Sequence, residues 1–458
     1  MITSSFQVAM LLSVLLSIAG LSWWVAPRVR TVEGFFRGQE PGYAPGVWTL
    51  TLSQVTTWIF ARSLMNAALL GYFFGIAGTL AYAVYYGSFL TGWLIIDRLR
   101  FVQGYSNIQG FFSDRFGRLG VVCYNLLVSL RLLSEVFANL LVVGIVFGAA
   151  GSGAYNLAIL AVAGITLLYS LKGGLSASLR TDVQQMLLLV AVLVVLLVML
   201  VSHSQFDLPA LVTSSPELVS PGWILLLVAL LQVISYPLHD PVMMDRGFLA
   251  DRRTTRKSFI QAFWISTAFI VLFGLLGVFA GLHRVGDEEM MATLQRLLGT
   301  PAIFLLGLAL IVSAASTLDS TLSSASKLAI VDMGMGRVEP NRGRLAMLLF
   351  TLGGLLLVYF GTNDLYAAVA VSGTASLFLT PIIIFCIWMN RQVAQWSFLV
   401  NFLFAVGGSV VYFLETSGYL NWIGYWTGVE HDYSKLLLLT VFILSVGMIS
   451  FWWGMQDE

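Results

Sequence analysis

Long apolar runs alternate with short polar connections along nearly the whole chain, and the lengths of those runs predict helices that cross a membrane. A hydrocarbon core of about 30 Å needs roughly 20 predominantly apolar residues in helical form. Thirteen stretches meet or approach that length: 6–26, 46–70, 73–96, 119–149, 155–171, 179–202, 221–245, 258–282, 300–330, 344–361, 364–388, 396–415 and 435–454. Dividing 46–96 into two spans rests on Tyr72-Phe73-Phe74-Gly75, a connection without charge. The predicted fold class is an all-α polytopic membrane protein with about 13 transmembrane helices.

The charged residues follow the same frame. With thirteen spans, alternate connections collect most of the 24 Lys and Arg residues, among them Arg28, Arg98, Arg115, Lys172, Arg246, Arg252, Lys327, Arg337 and Arg391. The opposite set holds only Arg284, Arg296 and Lys435. Basic loops stay in the cytoplasm, so the expected topology has the N-terminus outside and the C-terminus cytoplasmic, in a bacterial-type inner membrane. No basic residue precedes the first apolar run, as a signal peptide would require, so that run is read as a retained span.

Composition narrows the class further. The chain has 458 residues, 58% of them hydrophobic and only 10% charged, where soluble proteins carry about 25% charge. A net charge of +1 gives no basic surface for nucleic acid. Cys123 and Cys386 sit in separate apolar spans and imply no disulfide framework. Nucleotide, zinc and redox motifs are missing from the sequence, so an enzyme is not expected, and the adjacent pair His239-Asp240 is the only candidate for catalysis.

Chemistry concentrates where the apolar pattern is interrupted. The ninth span carries Ala314-Ala315-Ser316-Thr317-Leu318-Asp319-Ser320-Thr321-Leu322-Ser323-Ser324. Lipid cannot satisfy so many polar groups, so they face protein or a wet cavity. Small hydroxylated residues also join helices, but oxygen ligands within about one turn suit a hard cation. The second span holds Ser53, Gln54, Thr56, Thr57 and Arg62, with Asn66 after them; the fourth holds Arg131 and Glu135, and the sixth begins with Asp182. The seventh ends Gln232-Val233-Ile234-Ser235-Tyr236-Pro237-Leu238-His239-Asp240-Pro241, where two prolines four apart interrupt a helix.

An arginine at mid-membrane costs about 2.5–3.5 kcal/mol on insertion scales, so Arg62 needs an anion. Arg131 and Glu135 are four apart and pair on one helix face. Two readings of Arg62 follow: it joins that pair in a buried network, or it meets an anionic solute group. His239 reads either as a proton carrier or as a hydrogen-bonded core residue, and His203, His283 and His431 read as incidental.

Interrupted helices at corresponding places in two halves point to a secondary transporter. Spans two to six and seven to eleven form two sets of five, each opened by a polar break and, with an odd number per set, running in opposite directions. The expected organisation is 1–43 for an extra span and loop, 44–204 for the first repeat, 205–389 for the inverted second repeat, and 390–458 for two further spans.

Four stretches resemble the sodium:solute symporter family. Tyr169 to Gln184 resembles its Y-x-x-x-GGL-x-A-x-x-x-TD-x-x-Q signature, and Ser313 to Ser326 its SA-x-x-ST-x-x-S-x-x-x-S segment. Ser53 to Ser63 is similar to its first core helix, and Asp245 to Ala250 to its QR-x-L-A-A stretch at the cytoplasmic end of the seventh span. The resemblance implies the leucine-transporter fold and a main sodium site. That site would use the carbonyls of Thr56, Ile59 and Ser313 with the hydroxyls of Ser316 and Thr317. It further implies a second sodium at Asp182 with Ser316 and Ser320, to which Asp319 can contribute, and an aromatic gate at Tyr236.

Phe60 and Arg62 depart from the small or hydroxylated residues usual there. Pro241, five residues before Arg246, is similar to the branch that carries monocarboxylates. The expected function is sodium-coupled import of a small organic solute, a carboxylate or an amino acid, by alternating access. The solute would meet Arg62, Asn66, Gln232, Tyr236 and His239. The alternative is a transporter-like sensor or channel that keeps the sodium site without coupled uptake. Sodium, the solute and the lipid bilayer are the expected partners.

Overall fold

The structure, a computed structural model, describes residues 5–39, 45–360 and 373–456. Among them, nine helices are long and apolar enough to cross a membrane, and shorter apolar helices accompany them. The protein is a multi-pass, all-helical membrane protein. In chain order the first helices are α1 (Ser5–Val25), α2 (Val32–Arg37), α3 (Val47–Trp58), α4 (Ala61–Val84), α5 (Ser88–Ile96), α6 (Ile108–Phe147), α7 (Gly153–Gly173) and α8 (Leu175–Val201). There follow α9 (Leu208–Val212), α10 (Pro221–Gln232), α11 (Tyr236–His239), α12 (Pro241–Gly247), α13 (Arg252–Leu282), α14 (Met290–Lys327) and α15 (Pro340–Phe360). Apolar helices at Gly373–Trp388, Gln395–Thr416 and Asp432–Trp453 complete the described chain. The predicted span 364–388 is described only from Gly373.

The uncharged division of 46–96 is made by one residue. Gly75 inside α4 has φ 62° and ψ −149°, a region that residues with a Cβ avoid. The chain reverses there, and Tyr82 beyond the turn donates to Ser63 before it at 2.9 Å. Ser214 and Ser215, in the connection after α9, accept the freed Ile76 and Ala77 N–H groups at 2.8 and 3.1 Å. Gly117 in α6 and Gly299 in α14 likewise separate a short lead-in helix from the crossing that follows.

The first span of each five-helix set is broken. Between α3 and α4, Ile59 and Phe60 leave helical geometry, with ψ of 71° and 153°. Between α10 and α12 the chain makes a turn, the four-residue α11, and an extended Asp240 ahead of Pro241. Backbone groups freed inside a membrane need partners, and side chains supply them. Tyr86 donates to Trp58 O at 2.9 Å and Asn139 Oδ1 accepts from Ala61 N at 3.2 Å. At the second break, Thr91 donates to Val233 O at 2.8 Å and Tyr124 to Leu238 O at 2.9 Å. Further along α4, glycines let a neighbouring helix approach closely. A Cβ on Gly277 or Gly281 of α13 would collide with the α4 backbone at Ala68 or Tyr72, the close approach that small residues permit in membranes.

Candidate ion and solute sites

The break after α3 faces the hydroxyl-rich part of α14. Ser313 donates to Ile59 O across the gap. Three residues on, Ser316 donates to Asp182 Oδ1 of α8 at 2.9 Å, and Thr56 donates to Asp182 O at 3.2 Å. Thr317 differs from Ser313 and Ser316, and shares its state with Thr321, Ser324 and Ser326 of the same helix. Its hydroxyl is buried and has no hydrogen-bond partner among the described residues, although a helical threonine commonly turns back onto the preceding turn. The carbonyl-bearing break and Ser313 therefore meet, with Ser316 and the unpartnered Thr317 hydroxyl one turn further along the same helix.

Asp182, Asp319 and Ser320 also converge, but a cation from the protein itself stands among them. Arg246 is fully buried, with Nη2 2.9 Å from Ser320 Oγ, 3.3 Å from Ser178 Oγ and 3.7 Å from Asp182 Oδ2. Its Nε donates to Ser53 at 3.4 Å. Ser53 in turn donates to Asp182 Oδ2 at 2.6 Å, and Thr181 donates to Asp319 Oδ2 at 2.9 Å. The sequence places Arg246 among the basic residues of a connection. The structure instead turns it inward, because four hydroxyl and carbonyl acceptors and one carboxylate surround it. Next to it in sequence, Asp245 pairs with Lys327, which links it to Asp332, at 2.8 and 2.9 Å.

On the other side of the break lies a cavity of about 520 Å³. Arg62, Ser63, Asn66, Gln232 and Tyr236 line it, as do Trp58, Phe60, Tyr82, Tyr85 and Tyr86. Exposed His431 and Asp432 line it too, marking its mouth at the end opposite the basic loops. His431 is thus part of this vestibule, which its position at a span end did not reveal. His239 is buried, with its ring 5.9 Å from that of Tyr236, and does not line the cavity. The four-residue α11 carries both Tyr236 and His239.

Arg62 belongs to a buried set of charges, although its Nε and Nη1 have no hydrogen-bond partner among the described residues. Its Nη2 contacts Glu135 Oε1 at 3.0 Å. Arg131 also pairs with Glu135 and reaches Asp240 Oδ2 at 3.1 Å. Asp240 Oδ1 accepts from Met243 N at 3.0 Å and so caps α12. All four side chains are about 2–3% exposed. Arg62 thus lies in a buried network with Arg131, Glu135 and Asp240, the residue that the sequence reading paired with His239.

No family model and no curated protein matches this chain. Among solved structures it is similar to the substrate-bound, outward-open state of a Na⁺-coupled sialic acid symporter. That match has a TM-score of 0.72 at 14% identity and covers 99% of this chain and 100% of that one. It is also similar to Mhp1, a nucleobase-cation-symport-1 family transporter, in a closed conformation with bromovinylhydantoin bound. There the TM-score is 0.57 at 12% identity, over 91% of this chain and 95% of that one. The inward-facing conformation of Mhp1 gives 0.50 at 11% identity, covering 93% and 95%. These likenesses show the fold, the five-plus-five inverted repeat of the leucine transporter.

Proposed function

We propose that this protein is a sodium-coupled symporter that moves a small organic solute by alternating access. The observation that carries the reading is the broken α3–α4 span meeting Ser313 of α14, with Ser316 and the unpartnered Thr317 hydroxyl one turn further along that helix. Sodium would be held there by the carbonyls of Thr56, Ile59 and Ser313 and the hydroxyls of Ser316 and Thr317, a hard-oxygen set. Asp182, Ser320 and Asp319 form the candidate second ion site, with Arg246 standing in it. Both named neighbours are cation-coupled carriers by their descriptions, which supports the reading. The sodium:solute symporter family remains the proposed family.

Bound sodium would tie the broken span to α14 and favour the state whose cavity is open opposite the basic loops. The proposed topology puts that mouth outside and the basic end in the cytoplasm. The ion pairs around Arg246 and Lys327 would then have to part before solute leaves inward. One sodium crossing 100 mV contributes about 2.3 kcal/mol, enough for roughly fifty-fold accumulation of an uncharged solute at about 1.4 kcal/mol per decade. Arg62, Asn66, Gln232, Tyr236 and His239 are the proposed solute residues, His239 acting from behind Tyr236. A carboxylate or an amino acid stays within the proposed solute class, although Arg62 already has an anionic partner.

The test is uptake into proteoliposomes under an inward sodium gradient, with a panel of small carboxylates, amino acids, sugars and nucleobases. Sodium-dependent accumulation against a gradient supports symport. Solute binding with no accumulation for any member of the panel identifies a sensor, and ion current without solute identifies a channel.

A further inference from the structure

We infer that the short helix Trp422–Thr427 inserts its exposed aromatic face into the membrane interface, and so anchors the rim of the cavity mouth in the bilayer. The inference needs only the multi-pass fold and stands whatever the protein carries.

The face reverses the order that water imposes. Trp422, Tyr425 and Trp426 are spaced i, i+3 and i+4, so they share one side of the helix. They are 58%, 79% and 81% exposed, and Tyr419 just before the helix is 73% exposed. The helix buries none of its six residues, and positions 416–429 carry no charge. A connection standing in water would turn such rings inward; a contiguous exposed apolar face marks a contact. Tryptophan and tyrosine, each an apolar ring with a polar tip, concentrate at the level of the lipid headgroups.

The flanking helices set the level at which this face lies. Gln395–Thr416 and Asp432–Trp453 have 22 residues each. That is about 33 Å of helix at about 1.5 Å per residue, close to the roughly 30 Å of a hydrocarbon core. Their far ends lie together beside Arg391, where Val393 pairs with Met455, and there Trp396, Trp452 and Trp453 are exposed. Between the two ends, Leu403 and Val410 on one helix and Leu438 and Phe442 on the other are exposed. Aromatic side chains thus bound one apolar band at both ends, about a hydrocarbon thickness apart. The face of Trp422–Thr427 continues that band, which selects the bilayer as its occupant over a second copy of the chain.

A buried carboxylate joins this helix to the mouth. Glu415 accepts from Ile423 N at 3.2 Å and Gly424 N at 3.0 Å, and pairs with Lys435 at 3.0 Å. Tyr412 and Thr416 on one side of that junction, and Asp432 and Tyr433 on the other, line the cavity. An anchored Trp422–Thr427 therefore holds both helices of the rim at a fixed depth.

The experiment is power-saturation electron paramagnetic resonance on nitroxide labels, with the full chain in nanodiscs of phosphatidylcholine and phosphatidylglycerol. Labels go on Trp422→Cys and Trp426→Cys, in a chain carrying Cys123→Ala and Cys386→Ala. Asp287→Cys, in an exposed acidic turn, is the water reference, and Phe442→Cys, exposed at mid-span, is the lipid reference. The ratio of collisions with oxygen to collisions with a nickel chelate should shift from the water reference toward the lipid reference at both positions, ending between the two. A single chromatographic peak shows each variant folded, and Tyr425→Cys replaces either one that fails. A ratio equal to that of the water reference would place the helix in solvent. Exclusion of both relaxants would place it under protein, either a second copy or a closed mouth. Either result, at one label or at both, overturns the inference and leaves the symport reading untouched.

Discussion

Arg246 Nη2 lies 3.7 Å from Asp182 Oδ2, and both side chains are completely buried. The same guanidinium reaches Ser320 of α14 and Ser53 of α3, so one residue of the second broken span holds three other helices together. Removing one partner of a buried pair leaves an uncompensated charge at a cost of about 3–5 kcal/mol. Arg246→Ala should be destabilised by that amount in chemical unfolding, and Arg246→Met combined with Asp182→Asn should recover most of it. Wild-type stability in Arg246→Ala would show that the contact holds nothing.

Sodium should stabilise the purified protein far more than potassium does. Ser316→Ala and Thr317→Ala each remove one oxygen from the proposed main site and should raise the half-saturating sodium concentration about tenfold, a change of about 1.4 kcal/mol. Titrating sodium while following thermal stability measures this. Wild-type sodium dependence in either variant would misplace the site.

Asp182 already has a cation beside it, and this bears on stoichiometry. With Arg246 in place, the expected sodium Hill coefficient is one, both in the wild type and in Asp182→Asn. A coefficient near two that falls to one in Asp182→Asn would instead assign Asp182, Ser320 and Asp319 to a second ion.

How far the sequence led differs from residue to residue. The spans were legible because lipid allows few alternatives to long apolar helices, and the second break was legible from Pro237 and Pro241. The Arg131–Glu135 pair followed from helical spacing, and the need of Arg62 for an anion from the energetics of burial. Asp240 escaped because its partner Arg131 lies 109 positions away, and no local pattern selects it over adjacent His239. Arg246 escaped for the same reason. Its acceptors Ser53, Ser178 and Ser320 lie 193, 68 and 74 positions away, and at the end of a span an arginine reads as part of a loop. The orphaned Thr317 hydroxyl was invisible as well, since only packing shows which hydroxyls in a serine-rich run stay unpartnered.

The pairing of Arg62 with Glu135 predicts a pattern of rescue. Arg62→Gln alone leaves two carboxylates against Arg131, and Glu135→Gln alone leaves two guanidiniums against Asp240. Each should lose about 3–5 kcal/mol. The double variant restores one charge of each sign and should be the most stable of the three, a coupling that a double-mutant cycle in chemical unfolding measures. Additive losses would show that the two residues act separately.

Gly75 sets the first hairpin, and a Cβ there would lie 2.6 Å from both Ser214 Oγ and Ser215 Oγ. Gly75→Ala combines a disfavoured backbone region, worth about 1–3 kcal/mol, with displacement of the two serines that cap the returning helix. A fall in thermal midpoint with unchanged half-saturating sodium is the expected result, because the turn is remote from the ion residues. A midpoint equal to that of the wild type would show that the turn tolerates a side chain.

Four charges that balance only as a set also limit how such a chain can diverge. Asp240 gives one oxygen to the Met243 N–H and the other to Arg131, so it serves as helix cap and counter-ion at once. Asparagine there could keep the cap but would strip Arg131 of half its compensation. Descendants of this sequence are therefore expected to exchange these positions together, one acid with one base, or to keep all four; lineages with a single neutral replacement should be rare. Paired losses would be the heritable trace of the electrostatics in the membrane interior.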